Sequence, residues 1–334
     1  MAVFVTRYDF RAPDASPEQR QELFARAVRQ AAYVDRHGHD VLLLSEHHAS
    51  ADGYLPSPLV VAGAFAAVTE RIQLSVSALL ANLYDPVRLA EDISVLDHLS
   101  KGRVSYTFGL GYRTLEYDLL ERDWHTRGAD LEARLQTLLA ALRGEEIDRG
   151  GQRHRITPAP YSQPHPMFLQ GGGSVAAARR AARLGIGFAP QTADPGLRAA
   201  YEDACRDLGR DPGWVMAPPR SGPAAIFCSE EPGAFWEQYG THLLHDATAY
   251  QAWRDEAGRD PATATHVADA STSVEEMRAA GVYAVLHPDD LIARLQAKEI
   301  RVVTSHPSCG GLPEEPSWEH LRLLAERVIP AVRG

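Results

Sequence analysis

Short, wholly apolar runs recur along the chain, each followed by a longer stretch that is apolar on one side only. Val41-Leu42-Leu43-Leu44 is the clearest run, and Pro17–His37 the clearest partner, with Leu23, Ala27, Ala31 and Val34 spaced onto one helical face. A strand of pure hydrocarbon must be covered on both faces. Alternation with amphipathic helices is therefore the pattern of repeated βα units around a parallel sheet. Strands are expected at Val3–Tyr8, Val41–Leu44, Ile72–Leu80, Val104–Phe108, from Met167, at Ile186–Phe188, Ala224–Cys228 and Arg301–Ser305. Helices are expected at Pro17–His37, Pro58–Thr69, Val87–Leu99, Val175–Leu184, Leu197–Leu208, around Phe235–Gly258, at Asp289–Lys298 and at Glu319–Val332. Pro86 suits the first turn of its helix. Glu116–Leu142 reads as helical with a break near Trp124. Eight strands with helical cover favour an α/β fold of the TIM-type (β/α)8 barrel class, with insertions at its C-terminal face, over an open doubly wound sheet. A single domain over 1–334 is expected, with the polar segment 246–285 as an insertion or lid at the rim.

Composition narrows the function classes. A chain of 334 residues buries a core without disulfide staples. Cys205, Cys228 and Cys309 lie far apart and show no C-x-x-C or Cys/His spacing, which argues against a disulfide framework or zinc site and fits a reducing cytoplasm. The net charge of −10, from 44 acidic and 34 basic residues spread along the chain, argues against a nucleic-acid surface. The start lacks the pattern of a signal peptide, and no apolar run approaches the ~18–20 residues of a membrane span.

In a barrel of this kind the active site lies at the C-terminal ends of the strands. The residues that follow the apolar runs are Asp9-Phe10, Ser45-Glu46-His47-His48, Leu80-Ala81-Asn82, Gly109-Leu110-Gly111-Tyr112, Gly171-Gly172-Gly173-Ser174 and Ser305-His306. Glu46-His47-His48 is the sharpest of these. A histidine at a strand end can serve as acid or base near neutral pH, and a neighbouring carboxylate can orient it. The alternatives for His47 are a structural role and a metal ligand. Adjacent strand residues point to opposite sides, and no H-E-x-x-H pairing completes a metal site, so none is expected. Gly171-Gly172-Gly173-Ser174 between strand and helix can cradle a phosphate with bare amides and a hydroxyl, or can simply be a tight turn. It is neither a G-x-G-x-x-G fingerprint nor a Walker sequence, so no nicotinamide or nucleoside triphosphate site is visible.

The run from Asp85-Pro86-Val87-Arg88-Leu89-Ala90-Glu91-Asp92 through Ser100-Lys101-Gly102-Arg103 to Gly109-Leu110-Gly111-Tyr112 resembles the signature of the bacterial luciferase-like flavin-dependent oxidoreductases. Gly53-Tyr54-Leu55-Pro56-Ser57-Pro58, Arg179 to Gly185 and Cys309-Gly310-Gly311 are similar to the same family. The resemblance implies a flavin at the barrel mouth, its phosphate near Gly172, Gly173 and Ser174. It implies a ring contact at the end of strand three, where Ser77–Ala78 matches a non-proline cis peptide. His47 matches the acid/base histidine. Gly111 occupies the place of a luciferase cysteine near the reactive carbon, and Tyr112 that of a phosphate-binding arginine. Phe10, Glu46, His48, Asn82, Gln191 and His306 are candidate substrate-pocket residues, while Arg88, Glu91, Asp92, Arg127 and Glu132 are expected to be scaffold.

The activity implied is a monooxygenase using reduced FMN, supplied by a separate flavin reductase, and oxygen to act on a small-molecule substrate. A deazaflavin-dependent dehydrogenase or reductase on the same barrel is the alternative. A non-catalytic flavin-binding protein and a metal-dependent barrel hydrolase are further ones. The resemblance also implies a homodimer, while the cysteines, charge and hydropathy above lead to the expectation of a cytoplasmic protein with neither nucleic acid nor membrane as partner.

Overall fold

The structure is a computed structural model that describes residues 2–219, 222–258 and 269–333. The chain runs β1 (Val3–Tyr8), α1 (Pro17–Arg36), β2 (Val41–Leu44), α2 (Pro58–Val68), β3 (Gln73–Leu79), α3 (Pro86–Ser100), β4 (Val104–Phe108), α4 (Thr114–Leu119) and α5 (Arg127–Leu142). It continues through β5 (Ile147–Arg149), β6 (Gln152–His154), β7 (Met167–Gly172), α6 (Val175–Leu184), β8 (Gly187–Pro190), α7 (Pro195–Asp207), β9 (Ala225–Cys228) and α8 (Pro232–Glu256). The last elements are α9 (Val274–Ala280), β10 (Tyr283–Leu286), α10 (Pro288–Gln296), β11 (Val302–Ser305), α11 (Glu314–Leu323) and α12 (Ile329–Arg333).

Helix starts follow local chemistry. Pro17, Pro58, Pro86, Pro195, Pro232 and Pro288 each open a helix, where the missing amide hydrogen costs nothing. Ser16 caps α1 reciprocally with Gln19, and the Asp85 carboxylate accepts from the amides of Val87 and Arg88. The expected break near Trp124 is present: α4 and α5 are separate, and Glu121 takes a positive φ of 53° between them.

Seven strands form one all-parallel sheet in the order β11-β1-β2-β3-β4-β7-β8. Strands β9 and β10 pair in parallel with each other, and β9 packs against β11 at the sheet's first edge. The fold is thus α/β with a curled parallel sheet. It differs from the expected ring of eight strands: nine parallel strands occur among the described residues, divided between two hydrogen-bonded sets. The additional strand, β10, lies in the segment 246–285 expected to be an insertion. Its four residues follow Met277-Arg278-Ala279-Ala280, which reads as helix and hides the change of period. The other end of that segment lies within α8, and residues 259–268 fall outside the described residues. The β5/β6 hairpin was also unexpected, although Gly150-Gly151, both at positive φ, is a strong two-residue turn. No helix of the described residues is long and apolar enough to cross a membrane.

Candidate active site

The strand ends meet in two contrasting halves. One half is a half-buried strip. It runs from Ser77 and Ala78 at the end of β3, through Leu110, Gly111 and Tyr112 after β4, to Gly172, Gly173 and Ser174 at and just beyond the end of β7 and Gln191 after β8. The Ser77–Ala78 peptide is cis. Small residues are required along this strip. A Cβ at Gly109 would lie 2.7 Å from the Ala78 Cβ, and one at Gly172 2.6 Å from the Ala177 Cβ, with φ at 153°. Ser174 caps α6 by accepting from the amide of Ala177 at 3.2 Å, so its hydroxyl hydrogen and the first amides of the helix remain to donate.

The other half is closed by side chains. Helix α8 lays Asp246, Tyr250 and Trp253, spaced i, i+4 and i+7 on one face, over the ends of β1, β2 and β11. Beneath it Arg7, Asp9 and Arg11 point the same way, because they alternate along β1 and its extension. Arg7 donates to Asp9 and to the Tyr250 hydroxyl, each at 2.8 Å. Arg11 lies 3.6 Å from Asp52 and 3.7 Å from Asp246, and sits over the rings of Tyr54, Tyr250 and Trp253 at 4.8, 4.4 and 4.4 Å. Tyr283 donates to Asp246 at 2.7 Å. His306 Nε2 lies 3.1 Å from Asp9 Oδ1 in an ionic contact without hydrogen-bond alignment. Burial works to lower the His306 pKa, but Asp9 and Asp246 raise it well above the usual histidine range. Three cationic groups, Arg7, Arg11 and His306, thus face three carboxylates, Asp9, Asp52 and Asp246.

Asp246, His306 and Cys309 also place one potential metal-ligand atom each within 4.8 Å of the others. The guanidinium groups 3.6 and 3.7 Å from the Asp246 carboxylate already supply its positive charge, so the cluster is balanced as an ionic network without a metal ion.

His47 stands at the border of the two halves. Its Nδ1 is 2.8 Å from Glu116 Oε1, and its Nε2 is 3.3 Å from the Tyr112 hydroxyl. Its ring is packed by Trp253 and Tyr54, with centroids at 4.6 and 4.9 Å. Burial pushes its pKa below the usual range, against the pull of Glu116. Glu116 is fully buried; burial opposes its charge, yet the His47 bond, the His48 amide and Arg113 hold its pKa below the usual carboxylate value.

The remaining candidates divide. Glu46 is a structural clamp, accepting from the Leu80 amide at 2.7 Å, the Tyr84 hydroxyl at 2.7 Å and His48 Nε2 at 2.9 Å. That last bond raises the His48 pKa although burial works to lower it. Three of the expected pocket residues are enclosed by the protein's own packing. Phe10 is fully buried and stacks on Phe24 at 4.3 Å, since its place on β1's extension faces the helix layer. Asn82 is buried and ties the Tyr117 hydroxyl to the Arg127 carbonyl at 2.9 and 2.8 Å. His306 lies wholly within the ionic network. The scaffold residues behave as surface pairs: Arg88 reaches Asp92 at 2.7 Å, and Glu132 reaches Arg183 at 2.6 Å. Sequence reasoning missed Glu116, Arg113, Asp52, Tyr54, Tyr250 and Trp253 as parts of the site. Arg7 and Arg11 carried a usable signal: with Asp9 between them they place a charge at every second position along β1 and its extension.

The sequence profile described as luciferase-like monooxygenase matches residues 4–305. Among solved structures, the chain is similar to monooxygenase RslO1 from Streptomyces bottropensis, with a TM-score of 0.70 and 21% identity over 98% of this chain and 99% of that one. It is similar to the oxygenating constituent of 3,6-diketocamphane monooxygenase of Pseudomonas putida, in complex with FMN, with a TM-score of 0.69 and 19% identity over 99% of both. An F420-dependent secondary alcohol dehydrogenase aligns with a TM-score of 0.66 and 14% identity over 100% of both. At these identities the likeness establishes the fold alone. The matched segments span less than half the length of the curated relatives, as with 47% of the y4wF protein of Sinorhizobium fredii, which is 29% identical over that stretch. With its profile matched from the first strand to the last, the chain belongs to the luciferase-like monooxygenase family.

Proposed function

We propose that the chain is a flavin-dependent monooxygenase that uses reduced FMN and molecular oxygen on a small organic substrate. The observation that carries this reading is the half-buried strip of small residues, from Ser77–Ala78 through Gly111 to Gly172–Ser174, bordered by the buried His47–Glu116 pair. The strip fits a flavin in two respects. Its glycines leave the backbone bare of side chains where the strand ends crowd together, and buried oxygens of Glu116, Gln170 and Gln191 lack a hydrogen-bond partner. Such orphaned acceptors are costly unless a ligand or water donates to them.

In this reading Gly172, Gly173 and Ser174 hold the phosphate at the start of α6. Ser77, Ala78, Gly111 and Tyr112 line the ring, and Gln191 lies at the strip's far end. Bound reduced FMN supplies the electrons that activate oxygen. Tyr54, Tyr250 and Trp253 exclude water on the opposite side, while His47 holds or moves a proton at Nε2. A single domain over 1–334, a homodimer and a separate reductase that delivers reduced flavin complete the proposal.

A deazaflavin-dependent dehydrogenase is the second reading, favoured by the alignment with the F420-dependent enzyme. Anaerobic equilibrium titration with reduced FMN and with reduced deazaflavin tests the choice. Saturable FMN binding is expected, and exclusive binding of the deazaflavin would overturn the monooxygenase reading.

A further inference from the structure

We infer that Tyr112, not His47, is the group that meets the reacting molecule, and that Glu116, His47 and Tyr112 form one ordered proton chain with the phenol at its outer end. The direction of each hydrogen bond follows from what its partner can do. Glu116 Oε1 accepts from the His48 amide at 3.0 Å, and Arg113 lies 3.4 Å away, so this carboxylate oxygen is an acceptor held in place. The Nδ1 of His47, 2.8 Å from it, must therefore carry the hydrogen. A neutral ring with its proton on Nδ1 keeps a lone pair on Nε2. The Tyr112 hydroxyl, 3.3 Å from Nε2, is then the donor of that bond.

Packing decides which member faces outward. His47 is only 7% exposed, and Tyr54, Trp253, Tyr250 and Tyr112 surround its ring at 4.9, 4.6, 6.4 and 5.3 Å. Tyr112 follows Gly111 and Leu110 on the half-buried strip and is less enclosed than His47, so the phenol is the member of the chain that adjoins that strip. Burial raises the phenol's pKa, which keeps it a donor at neutral pH.

The chain in this state is poised to accept a proton. A proton arriving from a substrate O–H, N–H or activated C–H bonds to the Tyr112 oxygen while the phenolic proton moves to His47 Nε2. The substrate keeps the electron pair of its broken bond. The resulting imidazolium is met by the Glu116 carboxylate, and the reverse transfer returns the proton to product. Tyr112 is then the catalytic residue, with His47 as its base and Glu116 as a positioning residue. The inference rests on the flavin reading only for what the phenol acts upon.

Nitrogen-15 NMR of the ligand-free protein labelled at histidine tests it, with His47→Gln identifying the resonances. The expected wild-type signature is a protonated Nδ1 and a hydrogen-bonded, unprotonated Nε2. Tyr112→Phe should move the Nε2 resonance toward that of a free imine nitrogen and leave Nδ1 in place. Glu116→Ala, which removes the acceptor of Nδ1–H, should abolish the single tautomer. Incorporation of 3-fluorotyrosine, which strengthens the phenol as a donor without changing its shape, should move Nε2 in the opposite sense to Tyr112→Phe and serves if that variant does not fold. A proton on Nε2 in the wild type, or an Nε2 resonance indifferent to both tyrosine changes, overturns the inference. Anaerobic titration of the same samples with reduced FMN reports on the flavin reading separately. FMN binding with the wrong tautomer sinks the chain alone, and the right tautomer without FMN binding sinks only the flavin reading.

Discussion

Asp246→Asn removes one carboxylate from the ionic network and leaves three buried cationic groups facing two carboxylates. In the native protein Asp246 lies 3.6 Å from Arg7, 3.7 Å from Arg11 and 3.7 Å from His306, with none of its side chain exposed. At an effective dielectric of about 20, each such pair is worth roughly 4–5 kcal/mol of gross attraction. The three do not add, because charge burial opposes them and His306 can shed its proton once the carboxylate is gone. The net cost expected is about 3–5 kcal/mol, typical of breaking a buried pair from one side. The pH dependence follows from His306. Its native pKa is raised, so its contribution is complete below the unfolded value and is lost as pH rises through the native one. Asp246→Asn lowers that native pKa, so the variant should be penalised more at pH 6 than at pH 9. Adding His306→Asn should recover at least about 1 kcal/mol relative to the sum of the single changes. Urea unfolding at both pH values, across the full double-mutant cycle, measures this. A loss under about 1 kcal/mol at pH 6, or strict additivity at both pH values, would refute the charge-balance argument.

Three other outcomes are expected. His39 and His320 are buried as neutral rings, and burial lowers both pKa values to about 3. The unfolded chain takes up protons below about pH 6.5 that these rings refuse, so each should remove about 1.4 kcal/mol of stability per pH unit from there toward pH 3; equal urea midpoints at pH 7 and pH 5 in wild type would contradict this. Gly172→Ala should destabilise by about 1–3 kcal/mol and weaken FMN binding, whereas Gly63→Ala, whose Cβ meets nothing within 4 Å in a helix, should be neutral or stabilising in the same thermal melts. Phe10→Ala should cost about 3–5 kcal/mol of stability while leaving FMN affinity unchanged; an FMN defect without a stability loss would return Phe10 to the pocket.

The scaffold was legible in the residues because it is governed by local chemistry. All eight anticipated strands are present, since strands buried on both faces must be apolar and their helices must carry one apolar stripe. The helix starts follow from proline and capping side chains, and the glycines of the strip announced themselves as sites of close approach. Strand β10 was missed for the same reason: a four-residue apolar run after an alanine-rich stretch has no period of its own. Function-bearing contacts were a different matter. His47 could be singled out as a strand-end histidine, but its tautomer depends on Glu116, which is 69 residues away and reads only as an acid in a helix's first turn. Likewise Tyr250 and Trp253 read as one stripe of a long helix, and only the fold lays that stripe across the mouth beside Arg11, more than 230 residues earlier. Short-range periodicity and turn chemistry therefore determined the elements and the end of the sheet at which the candidate site lies. The partner of each buried charge was decided by the tertiary structure, because electrostatic pairing acts through space and leaves no spacing along the chain.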